Sequence, residues 1–290
     1  MPQANVNGIE IEYVTEGDPS DPPLLLVMGL GAQLTTWPDG FVDALRQRGF
    51  FVIRFDNRDS GLSTKLEGLP DIAALITGTD LSSVSYRIED MADDAAGLLA
   101  ALEIANAHVV GASMGGMITQ ALVINHPQLF LSATSIMSTT GDRAVGAPTG
   151  EAMTALLRPV ATSRDEAIQA GVEGSLVIGS PGYPTDTRIL QERAAAAYDR
   201  SYCPEGTARQ LGAILGSPDR TEGLHGVDMP FLVVHGESDP LVTPSGGDAT
   251  AAAVSGSKLL TFPGMGHDLP EALWISIIDA IVANTELAAV

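Results

Sequence analysis

One serine of this chain sits in a setting suited to nucleophilic attack. Ser113 lies in Gly111-Ala112-Ser113-Met114-Gly115-Gly116, after the apolar run His108-Val109-Val110 and before an apolar helical stretch. A serine at a sharp strand-to-helix turn carries a strained backbone. Side chains two residues to either side would collide there, so glycine is required at both flanks. The hydroxyl then projects at a helix N-terminus, whose free N–H groups favour developing negative charge. With 20 serines and 31 glycines, about 0.2 such spacings arise by chance, so the pattern gains meaning only from the strand and helix around it.

A serine nucleophile needs a base, and the base needs an orienting acid. Two later strand-like runs end in residues of these types. Phe231 to His235 is followed by Gly236-Glu237-Ser238-Asp239-Pro240, and Lys258 to Phe262 by Pro263-Gly264-Met265-Gly266-His267-Asp268. Taken alone, Asp239 before a proline reads as a turn residue, and His267 as a solvent-facing loop histidine. With Ser113 they constrain one another, each lying just past a strand: Ser113 as nucleophile, His267 as base, Asp239 as orienting acid. Among rival acids, Glu237 is too close to its strand and Asp142 follows the preceding one. His108, His126, His225 and His235 read as strand, helix-end or turn residues. The backbone N–H groups of Met114 and of Leu30, in Met28-Gly29-Leu30-Gly31-Ala32, are the candidate oxyanion-hole donors; a plain glycine turn is the alternative for the latter.

The elements that must position these residues alternate along the chain. Strands are predicted at Ile9 to Val14, Leu24 to Met28, Phe51 to Phe55, His108 to Val110, Leu131 to Met137, Phe231 to His235 and Lys258 to Phe262. Helices are predicted at Gly40 to Arg48, Glu89 to Leu102, Gly115 to Asn125 and Pro270 to Asn284. Such alternation implies an α/β fold, a mostly parallel central sheet flanked by helices, with its site beyond the carboxyl ends of the strands. Between residues 138 and 226 the buried strand runs disappear. Helical stretches replace them, at Glu151 to Leu157, Arg164 to Glu173, Arg188 to Tyr202 and Glu205 to Leu215. The reading is a core domain of residues 1–137 and 227–290 with an inserted helical cap of residues 138–226. Leu156, Tyr183, Tyr198 and Tyr202 are its candidate substrate-binding residues, although for any one of them packing in the cap's own core is the commoner role. Trp37, after the glycine loop, is a further candidate; Trp274 reads as packing.

Composition narrows the function. The chain has 290 residues, 45% hydrophobic and 18% charged, with a net charge of −21. It is long enough to bury a core without disulfides or metals. Its charge repels phosphate backbones and anionic head groups, so no nucleic acid and no membrane is expected as partner. The single Cys203 excludes an intrachain disulfide and a cysteine-rich zinc site. There is no signal-peptide pattern and no run of the ~20 apolar residues of a membrane helix, so the expected compartment is cytoplasmic. Only Lys65 and Lys258 represent lysine.

The order Ser113, Asp239, His267 resembles that of the α/β-hydrolase superfamily over essentially the whole chain. Phe55-Asp56-Asn57-Arg58-Asp59-Ser60-Gly61-Leu62-Ser63 is similar to the family's D-x-R-x-x-G-x-S loop, where an arginine and an aspartate brace the turn. Leu-Val-Met-Gly-Leu-Gly, Asp-Asn-Arg-Asp-Ser-Gly-Leu-Ser and Pro-Gly-Met-Gly-His resemble the branch containing aclacinomycin methylesterase and actinobacterial lipase/esterase-type proteins. Where many relatives have His-Gly in the oxyanion loop, this chain has Met28-Gly29. The backbone donors survive that change; a polar role of the histidine does not.

The resemblance implies hydrolysis of carboxylic esters through an acyl-enzyme, with no cofactor and no metal; a capped site suits small to medium, largely apolar substrates. Lactonase, thioesterase, perhydrolase, carbon–carbon hydrolase and methylesterase activities use the same triad and stay open. Dehalogenases and epoxide hydrolases need an aspartate where Ser113 stands. A proline iminopeptidase needs acidic residues for a substrate amine, for which only Glu173, Glu192 or Glu205 offer themselves. A reading of a different class is a ligand sensor with little turnover. Monomer and homodimer are both open.

Overall fold

The computed structural model describes residues 2–289. The first strands form an antiparallel hairpin, β1 (Gln3–Val6) and β2 (Ile9–Glu16). Sequence periodicity misses β1, although its turn is Asn7-Gly8, with φ of 49° and 79°, the pair that a two-residue hairpin favours. There follow β3 (Pro23–Val27), α1 (Asp39–Gln47), β4 (Phe51–Phe55), α2 (Ile72–Thr77), α3 (Ile88–Ala101), β5 (Ala107–Ala112), α4 (Met114–Asn125) and β6 (Phe130–Ile136). After α5 (Gly150–Leu156), α6 (Arg164–Ile178), α7 (Thr187–Arg200), α8 (Pro204–Gly216) and α9 (Thr221–Leu224), the sheet resumes. Its last elements are β7 (Phe231–Gly236), α10 (Ser245–Ala253), β8 (Lys258–Phe262) and α11 (Trp274–Glu286).

The sheet has eight strands in the order β1-β2-β4-β3-β5-β6-β7-β8. From β4 to β8 every neighbouring pair is parallel, and only the β1–β2 and β2–β4 pairs are antiparallel. Both faces are covered, so the central strands are apolar on both sides. On β3, Leu25 and Val27 enter one core with α3 and α4, through Met91, Leu98, Ile118 and Leu122. Leu24 and Leu26 enter the other with α1 and α11, through Phe41, Leu45, Ile277 and Ile281. The two-residue period of the strand thus divides one segment between two cores.

The final helix begins later than the sequence pattern predicts: Glu271–Leu273 is a 3-10 turn, and α11 starts at Trp274. Among the described residues, no helix is long and apolar enough to cross a membrane, and no group of three or more His, Cys, Asp and Glu could hold a metal ion.

Candidate active site

Ser113 stands between β5 and α4 with φ 58° and ψ −121°, a left-handed backbone that a residue other than glycine adopts only under strain. Close packing imposes the flanking glycines. A Cβ at Gly111 would lie 2.0 Å from the Gly115 carbonyl oxygen, and one at Gly115 would lie 2.0 Å from that of Val27. The helix therefore crosses directly over β3 and β5. The Met114 N–H opens α4, in the first turn, where N–H groups have no intrahelical acceptor.

Ser113 Oγ is 2.8 Å from His267 Nε2. His267 Nδ1 is 2.7 Å from Asp239 Oδ2. Asp239 is buried, and its Oδ1 accepts the N–H groups of Leu241 at 2.8 Å and Val242 at 2.9 Å. The three side chains come from the loops after β5, β7 and β8, all at one edge of the sheet.

Behind this row lies His235, the last-but-one residue of β7. Its Nε2 is 2.8 Å from the Val242 carbonyl and 3.6 Å from Asp239 Oδ2. Burial holds its pKa below the ordinary histidine value, so the neutral ring donates to Val242 and stiffens the turn that holds Asp239. The sequence reading takes it as a strand residue only. The rival acids stand elsewhere: Glu237 accepts from Thr261 Oγ1 at 2.9 Å, and Asp142 caps Ala144 N–H at 2.9 Å. His108 pairs with Ser132, His126 with Asp93, and His225 faces Glu222.

The Gly29 loop packs on the serine. A Cβ at Gly29 would be 3.0 Å from Ser113 Cβ and 3.5 Å from its Oγ, so the loop lies directly against the serine side chain. Three side chains fix this loop. Asn57 Nδ2 donates to the Met28 carbonyl at 2.9 Å, Ser60 Oγ to that of Ala32 at 2.5 Å, and Gln210 Oε1 accepts from Gly31 N–H at 2.7 Å. Gln210, fully buried on α8, also donates to the Arg58 carbonyl at 2.7 Å.

The loop after β4 is a knot of buried charges. Asp56 accepts from Leu34 N–H at 2.7 Å, Leu62 N–H at 2.8 Å and Arg200 Nη2 at 2.8 Å. Arg58 pairs with Asp94 through bonds of 2.6 and 2.7 Å, with its guanidinium over the Tyr86 ring. Asp59 takes both Arg209 Nε at 2.9 Å and Nη2 at 2.7 Å, and also the Tyr86 hydroxyl at 2.7 Å. Burial and the neighbouring Asp59 charge push the Tyr86 hydroxyl far above the ordinary tyrosine range, so it stays a donor. Lys65 Nζ donates to the carbonyls of Ser60, Gly61 and Ser63 within 3.0 Å, and burial lowers its pKa. The bracing therefore involves more than one arginine and one aspartate. Two of its cations, Arg200 and Arg209, come from helices of the segment between β6 and β7. Gln33 adds to it, donating to the carbonyls of Ala197 and Ser201 and accepting from Arg200.

A cavity of about 700 Å³ lies among these helices, with Leu156, Ala170, Tyr198, Tyr202 and the loop residues Leu30 and Gly31 in its wall. Tyr198 and Tyr202 face each other at 4.7 Å between ring centroids. None of Ser113, Asp239 and His267 is in that wall, which includes Leu30 and Gly31 of the glycine loop. Trp37 is elsewhere. It is 0% exposed and stacks on Phe41 in the core under α1 and α11, ten residues beyond the end of β3, where its indole is shielded from solvent among large apolar side chains. Tyr183 is also outside the cavity wall, half-buried against the same core and next to Gly264.

This topology belongs to a known family. The description "alpha/beta hydrolase fold" matches residues 22–176, more than half of the chain, and a second family, described as TAP-like protein, matches residues 208–272. The chain belongs to the α/β-hydrolase fold family. It is 28% identical to rhodomycin D methylesterase DauP of Streptomyces sp. (strain C5), with 100% of both chains covered. It is 26% identical to 3-oxoadipate enol-lactonase 2 of Acinetobacter baylyi, over 82% of this chain and 79% of that one. The solved enol-lactonase from Burkholderia xenovorans LB400 shares the fold with a TM-score of 0.75 at 24% identity, over 98% of this chain and 100% of that one.

Proposed function

We propose that the chain is a serine carboxylesterase. The observation that carries the reading is the continuous row Ser113–His267–Asp239, with contacts of 2.8 and 2.7 Å, on a strained serine beside a glycine loop. His267 Nε2 takes the hydroxyl proton as Ser113 Oγ attacks the ester carbonyl carbon. The N–H groups of Leu30 and Met114 hold the oxyanion. Asp239 keeps the imidazole in the tautomer with hydrogen on Nδ1 and balances its transient charge. The tetrahedral intermediate collapses, and the alkoxide leaves with the proton from His267. Water, deprotonated by the same nitrogen, then attacks the acyl-enzyme, and the acid departs as Ser113 regains its proton.

Residues 138–226 serve in this reading as a helical cap, which supplies the apolar walls of the substrate site. Leu157 and Val160, in the cavity wall and exposed, suit an apolar acyl or alkyl group. One second reading has its own support. The full-length similarity to the rhodomycin D methylesterases, together with a cavity of about 700 Å³, favours the methyl ester of a bulky acid over a short-chain ester.

The test is hydrolysis of p-nitrophenyl esters from acetate to palmitate, with methyl esters of bulky aromatic acids beside them, on wild type and Ser113→Ala. The expected result is activity in one of the two series, reduced about 10³-fold or more by the substitution. Unchanged turnover in Ser113→Ala would end the proposal.

A further inference from the structure

The loop that carries His267 is held by the cap. His267 N–H donates to the Ile178 carbonyl at 2.7 Å, and Gly182 N–H to the Gly264 carbonyl at 2.9 Å. Gly266 N–H donates to Ser180 Oγ at 2.8 Å. The Ser180 hydroxyl in turn donates to Asp268 Oδ1. The contact is tight: a Cβ at Gly266 would meet the carbonyl oxygens of Gly179 at 2.4 Å and Ile178 at 2.6 Å. Ser180 is 4% exposed, so its hydroxyl has no water to replace these partners. It joins the residue before His267 to the residue after it, through an oxygen that belongs to another part of the chain.

The remaining fixings of the His267 loop come from the sheet side. Ser238 N–H donates to the Met265 carbonyl at 2.9 Å, and Met265 itself is fully buried. The loop is thus anchored beneath by the core and above by the segment after α6. Nothing in the relay from Ser113 to Asp239 requires a cap residue, and Ser180 lies too far along the chain from any of them to be expected there from sequence.

We propose that Ser180 is a positioning residue for His267: its hydroxyl ties the Gly266 backbone N–H on one side of His267 to the Asp268 carboxylate on the other and so makes the cap part of the base's mounting. This rests on the serine-hydrolase reading above. A base displaced by a fraction of an ångström loses part of its proton-transfer advantage, while substrate contacts in the cavity are untouched. The signature is therefore a lower kcat with a nearly constant KM.

The test is phosphonylation of Ser113 by a p-nitrophenyl phosphonate, followed in time and by intact mass, together with steady-state kinetics. In Ser180→Ala the labelling rate and kcat are expected to fall about tenfold with KM within twofold, while labelling still reaches one per chain. Amide exchange in residues 264–268 is expected to speed up, with the segment around Ser113 unchanged. Ser180→Thr, which keeps the oxygen, is expected to recover most of the rate. A pair at the other end of the bond covers the case of a Ser180→Ala chain that does not fold. Asp268→Asn retains an acceptor for the hydroxyl and Asp268→Ala does not, so the Ala variant should be several-fold slower than the Asn variant. Equal rates across Ser180→Ala and wild type, or across the Asp268 pair, overturn the proposal. The Ser113→Ala control separates the two failures: if it turns over like wild type, the serine reading itself is lost, whatever Ser180 does.

Discussion

Asp239 distributes its two oxygens between two tasks. Oδ1 is occupied by two backbone N–H groups, and Oδ2 faces His267 Nδ1. An asparagine there would place an amide N–H against a donor or turn the imidazole to its other tautomer. Asp239→Asn is accordingly expected to lower kcat by roughly 10³- to 10⁴-fold, measured on the best ester of the series. The glycine loop gives a milder case. Gln210→Ala removes the side-chain acceptor of Gly31 N–H and frees the loop, without touching a reacting atom. A fall of about ten- to a hundredfold in kcat/KM is expected, most of it in kcat. The meeting of Ser113, Asp239 and His267 is legible because each follows a strand run directly and carries a chemically distinctive side chain. Gln210, Ser180 and His235 were not, since a glutamine on a helix or a histidine on a strand says nothing locally about a partner far along the chain. Trp37 misled for the same reason: position near the glycine loop suggests substrate, whereas the stack on Phe41 is a tertiary fact.

Helix α8 ties the helical segment between β6 and β7 to the loops around Ser113. It sends Arg209 to the buried Asp59 and Gln210 to the glycine loop. Removing one partner of such an ion pair leaves the other charge buried and unpaired. Arg209→Met is expected to cost about 3–5 kcal/mol, seen as a lowered midpoint in urea. Asp59→Asn with Arg209→Met together should cost less than Arg209→Met alone, because the stranded carboxylate is gone. The elements themselves differ in how well they show in sequence. β3, β4 and β7 are short apolar runs buried on both faces, and the sequence boundaries for these strands and for β8 agree closely with the structure. By contrast, α10 reads Ser-Gly-Gly-Asp-Ala-Thr-Ala-Ala-Ala, whose small residues make no hydrophobic period, and α2 has only 6 residues. Both are held by what they pack against, which no local pattern records.

At the scale of the molecule, a net charge of −21 on 290 residues is a standing self-repulsion. Added salt screens it, so the melting temperature should rise between about 0.01 and about 0.5 M NaCl in calorimetry. Acid acts in the opposite sense. Burial holds the pKa of His108 below its ordinary 6.5, so the unfolded chain binds this proton more readily than the native one. Stability from this residue is complete above pH 6.5 and is lost as pH falls from there toward the lowered native pKa. Its slope is at most about 1.4 kcal/mol per pH unit, and His108→Gln should flatten that part of the urea-stability profile. The spacing of Ser113 and His267 along the chain has a further result. Ser113 and its glycine loop are made early in synthesis, but His267 follows 154 positions later, beyond β8 at the sheet's edge. On the proposed reading, a growing polypeptide therefore carries Ser113 for more than half its length with no His267 to arm it. On the proposed esterase reading, turnover switches on only when the last strand has joined the sheet, so recovered ester hydrolysis in a refolding experiment is expected to time the final docking step and not the first collapse.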